Sequence, residues 1–130
     1  MIIKQLELIN IRSHESTKIE FAEGKTLSCL KGSIYDIVVD LRMNSKTFKK
    51  WIKFEISSVN RYSIHIPPGC ANAFLTMSDQ TIVHYYMGDF FNHDTYRGIR
   101  YNDPAFKVEW PCEPKIISER DLNLTDYLES

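Results

Sequence analysis

The chain has 130 residues, 43% of them hydrophobic and 25% charged, with a formal net charge of −1. That length fits one domain spanning residues 1–130, whose core buries roughly two thirds of the unfolded surface. The near-neutral balance argues against nucleic acid as a partner, because phosphate backbones are met by an excess of Lys and Arg; a small anionic ligand needs only a few local cations.

The N-terminal stretch MIIKQLELINIR has no long apolar run and soon meets Lys4, Glu7 and Arg12. Neither a signal peptide nor a membrane span is expected there. Cys29, Cys70 and Cys112 are odd in number and far apart. Free thiols in a reducing cytoplasm are the expectation. There is no Cys-x-x-Cys pair to suggest a structural zinc site.

Further along, short apolar runs alternate with turn signals. LSCL runs into Lys31-Gly32. The next stretch, KGSIYDIVVDLR from Lys31 to Arg42, predicts one strand with two different faces. Tyr35, Ile37, Val39 and Leu41 share one side; Ile34, Asp36, Val38 and Asp40 share the other. Two carboxylates among aliphatics fit either the functional lining of a barrel lumen or a solvated edge strand. WIKFEI, YSIHI, NAFLTM, TIVHYYM, GIRY and KVEW follow as further short runs, and Pro67, Pro68, Pro104 and Pro111 stand at run ends. Many short aromatic and β-branched runs predict an all-β sandwich or jelly roll. Only the end reads as helix, with Ser118 as N-cap, Asp121 at the third helical position, and spaced apolar residues in LNLTDYLE.

Several of these runs stand in one order: KGSIYDIVVDLR, SKTFKKW, IPPGCANAF, NDP, VEWP and ISERD. Together they resemble the dTDP-4-dehydrorhamnose 3,5-epimerase family, over about Arg12 to Asp121. The resemblance implies a cupin-type jelly roll with a short C-terminal helix, a homodimer, no metal and no cofactor. It implies epimerisation at C3 and/or C5 of a dTDP-linked 4-keto-6-deoxy sugar in deoxysugar and surface-polysaccharide biosynthesis. The alternative is a cupin that binds the nucleotide sugar and has lost the reaction.

The resemblance also carries site residues across. Where the family has Arg-Gly-Leu-His, this chain has Arg12-Ser13-His14-Glu15. Ungapped spacing back from Gly24-Lys25 puts Glu15 at the family's base position; a one-residue bulge would present His14 instead. Asp121 matches the base's carboxylate partner and Tyr85 the proton donor. Lys25 matches a substrate-contacting Lys, Arg12 a phosphate-binding Arg, and Asp40 a cavity Asp. Asn72 stands where the family has a second His, in Gly69-Cys70-Ala71-Asn72-Ala73-Phe74. About eleven residues precede Arg12, fewer than in the family. His65, His84 and His93 sit in separate runs and form no expected metal cluster.

Overall fold

A computed structural model describes residues 5–11, 14–20, 24–88 and 98–127, the first two stretches as backbone strands only. β1 (Gln5–Ile11) and β2 (His14–Glu20) form an antiparallel pair. Their pairing keeps one register from Gln5↔Glu20 to Ile11↔His14, with no shift between. Arg12 lies outside the described residues.

Six further strands follow: β3 (Lys25–Lys31), β4 (Ser33–Asp40), β5 (Trp51–Ser57), β6 (Ser63–Ile66), β7 (Cys70–Thr76) and β8 (Ile82–Met87). They make two three-stranded antiparallel sheets, ordered β6-β3-β8 and β5-β4-β7. The chain passes between the sheets after β3, β5, β6 and β7, and the two sheets face one another in an all-β jelly roll. Among the described residues no helix is long and apolar enough to cross a membrane.

Strand β4 explains why its sequence pattern was mixed: both of its faces are covered. Tyr35, Ile37 and Val39 lie under Phe106, with Ile99, Val108, Trp110 and Tyr127 packed around them. On the opposite face Ile34 joins Leu27 and Cys29 of β3, Ile56 of β5, and the flanking Phe54, Ile64 and Val83, filling the space between the sheets. A half-solvated strand alternates apolar with polar residues, whereas one covered on both sides stays apolar throughout. Asp36 breaks that rule, on the face between the sheets.

The runs GIRY and KVEW, expected as strands, are irregular. They are apolar because they form the lid on β4, where Trp110 also donates its ring N–H to Tyr101 O at 2.9 Å. Pro104, Pro111 and Pro114 keep this segment from pairing as a ladder. The C-terminal helix is shorter than its sequence suggested. α1 covers only Glu119–Leu122, with Ser118 Oγ accepting from Asp121 N as the N-cap. Most of LNLTDYLE lies beyond it, and Tyr127 turns its ring onto Phe106 at 5.1 Å.

Candidate active site

Residues opposite one another in an antiparallel pair project to the same side. Lys25 and Leu27 of β3 face Met87 and Tyr85 of β8, and Leu27 is fully buried between the sheets. Lys25 and Tyr85 therefore point into the lumen. On the facing sheet Asp36 lies opposite Phe54 and Phe74, with Asn72 two residues along β7 from Phe74. The lumen is dry at Leu27 and Asp36, both 0% exposed, and open at Tyr85 and Met87, 50% and 48% exposed.

Gly24 sets up the start of β3. Its φ of 119° and the 2.3 Å that would separate a Cβ from Ile66 O admit only glycine there. The strand can then pass close to β6 and bring Lys25 to the lumen mouth. The Lys25 ammonium lies over the Tyr85 ring, 5.0 Å from its centre. Burial pulls the Lys25 pKa down from its ordinary value, and the charge of Asp36 opposes that fall.

Asp36 accepts from Asn72 Nδ2 at 2.9 Å on each carboxylate oxygen, and the same nitrogen donates to Ile37 O at 3.1 Å. Burial pushes the Asp36 pKa up to about 6, while the Asn72 hydrogen bonds and the Lys25 charge hold it from rising further. A carboxylate poised near neutrality in a partly apolar cavity is a common mark of a working site.

Of the residues expected from sequence, Lys25, Tyr85 and Asn72 face this one space. The carboxylate they meet is Asp36, not Asp40. Asp40 ends β4, and its oxygens are taken up locally. Oδ1 accepts from Arg42 N and Nε at 3.0 and 2.9 Å. Oδ2 accepts from Arg42 Nη2 at 2.8 Å and from Ser45 and Thr47 hydroxyls at 2.6 Å each. These donors hold the Asp40 carboxyl well below the usual range. It fastens the β4–β5 turn and has little capacity left for a ligand. A signal for this was present, because Arg42, Ser45 and Thr47 follow Asp40 closely enough to cap it locally.

Asp121 sits on the single turn of α1, half exposed, with its carboxylate 3.4 Å from Arg120 Nε. His14 and Glu15 belong to β2, whose side chains are not described, and His93 lies outside the described residues. His65 pairs with Thr26 at 3.1 Å and His84 packs edge-on against Tyr86 at 4.7 Å. The register sets Thr26 opposite Tyr86, so both pairs lie on the outer face of the sheet.

Comparison with known proteins follows the same lines. The sequence matches a family described as dTDP-4-dehydrorhamnose 3,5-epimerase over residues 11–129. It is 38% identical over 107 residues to the protein of that name from Methanothermobacter thermautotrophicus, covering 80% of this chain and 58% of that one. The dTDP-4-dehydrorhamnose 3,5-epimerase structure from Bacillus anthracis superposes with a TM-score of 0.77 at 34% identity, over 79% of this chain and 59% of the other. The dTDP-6-deoxy-D-glucose-3,5-epimerase from Legionella pneumophila gives 0.72 at 30% identity, over 82% and 63%. The chain thus spans about three fifths of the length of the relatives it matches.

Proposed function

Since this chain belongs to the dTDP-4-dehydrorhamnose 3,5-epimerase family, we propose that it epimerises a dTDP-linked 4-keto-6-deoxy sugar at C3, C5 or both. Deoxysugar and surface-polysaccharide biosynthesis in the cytoplasm is the setting that this activity and the free cysteines fit. The observation that carries the reading is the lumen cluster of Lys25, Tyr85, Asp36 and Asn72. The Bacillus anthracis relative was solved with TDP and PPi bound, and the Legionella pneumophila relative with dTDP-4-keto-L-rhamnose.

The chemistry runs in two proton transfers. A base removes the proton beside the ketone, and the electron pair moves onto the C4 oxygen as an enolate. The Lys25 ammonium donates to that oxygen, where negative charge develops. Tyr85 then returns a proton to carbon from the other face, inverting the centre. Glu15 is the proposed base, with Asp121 as its partner and His14 as the alternative. Arg12 is the proposed clamp on the diphosphate. Asp40 and Asn72, expected among the substrate contacts, take supporting parts instead: Asp40 is bonded locally and Asn72 holds Asp36. A homodimer is proposed across the outer face of β8, where Ile82 is exposed beside His84.

Incubation with a dTDP-4-keto-6-deoxyhexose in heavy water should place deuterium at C3 or C5, read by mass spectrometry. dTDP binding with no exchange above the buffer control would sink the enzyme reading and leave a nucleotide-sugar-binding cupin. In the same assay Glu15→Gln should lower exchange about a hundredfold, the usual contribution of a positioned base, and His14→Gln should leave it near wild type. The reverse pattern would assign the base to His14.

A further inference from the structure

Asp36 is a carboxylate that folding alone gives no reason to keep. It is 0% exposed, at the centre of a sheet, among Phe54, Phe74 and Ile34. Buried Asp side chains are almost always paired with a cation. Among the described residues, however, the hydrogen bonds to Asp36 come only from the neutral Asn72 amide. That tether is made at a cost: Asn72 Nδ2 is committed to Asp36 and Ile37 O, and Asn72 Oδ1 is left buried without a partner among the described residues. Turning the amide over would set an oxygen against three acceptors, so the present orientation is the one that serves Asp36. The amide is thus spent on holding a buried anion in place. Asp36 projects from the inner face of one sheet and Lys25 from the inner face of the other, so the two opposite charges share one lumen.

We propose that Asp36, tethered by Asn72, is a positioning residue that keeps Lys25 in its ammonium form and so sets the alkaline limit of the site. The inference rests on the reading of Lys25 as donor to an enolate oxygen. Lys25 must be protonated to do this, yet burial beside Tyr85 works against the proton. An ionised Asp36 across the lumen offsets that effect at the pH where the enzyme would operate. The neighbours that β5, β6 and β7 contribute are Phe54, Ile66, Phe74 and Asn72, none of which titrates. Among the described residues, the titratable groups that β3, β4 and β8 place on the inner face are Lys25, Cys29, Asp36, Asp40 and Tyr85; Asp40, with Cys70 of β7 beside it, stands at the far end of β4 and is held by Arg42, Ser45 and Thr47.

The test is a titration that needs no substrate. With 13C-lysine-labelled protein, the Lys25 Cε signal, assigned by its loss in Lys25→Arg, is followed by NMR as pH is raised. Asp36→Asn should bring its midpoint down by on the order of one pH unit, as expected for loss of one nearby opposite charge. Asp36→Ser, also uncharged, should do the same if the first variant folds poorly. An unchanged midpoint in the variant would overturn the proposal. The alkaline limb of the heavy-water exchange rate should move down in parallel, which a purely structural role for Asp36 would not produce. If neither protein exchanges but the Lys25 midpoint falls, the epimerase reading fails and the Lys25–Asp36 coupling stands.

Discussion

Lys25→Met should lower the rate of C–H exchange by about a hundredfold to a thousandfold while dTDP affinity stays within about threefold. The size follows from the role: a single donor aimed at a developing oxyanion in a water-poor site is typically worth that much in kcat. Methionine matches the length of the lysine stem and can still lie over the Tyr85 ring, so the variant removes donors and charge with little loss of packing. The split between rate and affinity is the discriminating part. A group that acts on the enolate oxygen is felt in the transition state and not in binding of a nucleotide that has no sugar. Exchange kinetics by mass spectrometry and dTDP binding by calorimetry measure the two halves. Equal exchange with strongly weakened dTDP binding would reassign Lys25 to the diphosphate.

The strands were legible in the sequence because their burial is regular. Tyr35, Ile37 and Val39 on one side and Ile34 on the other emerged from period-2 spacing alone, and the structure buries both rows. The same pattern misread GIRY and KVEW. Those runs are apolar because they cover a sheet, and composition does not distinguish a covering segment from a strand. Local propensity also overreached at the end of the chain. LNLTDYLE has spaced apolar residues, but Tyr127 is turned onto Phe106 and its backbone N–H donates to Asp103 at 2.7 Å, so tertiary contacts override the helical pattern. At the site, Lys25, Tyr85 and Asn72 could be found through the motifs that contain them. Spacing alone could not choose between Asp36 and Asp40, which share a face. What separates them is depth: one lies mid-strand between the sheets, and the other ends the strand beside its own capping donors.

Asp36→Asn should make the protein more stable at pH 8 and leave it nearly unchanged at pH 4. The sign follows from linkage. Asp36 has its folded-state pKa raised from 3.8 to about 6, so the native state holds that proton more tightly than the unfolded chain does. The stabilisation from this preference is complete below about pH 4, fades as pH rises towards 6, and is gone above it. A shift of about two units corresponds to roughly 3 kcal/mol against folding at alkaline pH, as an upper figure. Asparagine carries no charge and avoids that cost. The raised pKa already includes the attraction to Lys25, so the gain should be on the order of 2–3 kcal/mol, or roughly 5–15 °C in Tm. Asp40 and the other carboxylates titrate alike in both proteins and cancel in the difference. Thermal unfolding of wild type and variant at half-unit pH steps gives the curve directly. A gap that is the same at pH 4 and pH 8 would mean that the buried charge costs nothing. The expected outcome, a sturdier protein with a poorer site, is the trade that a functional carboxylate in a dry lumen imposes.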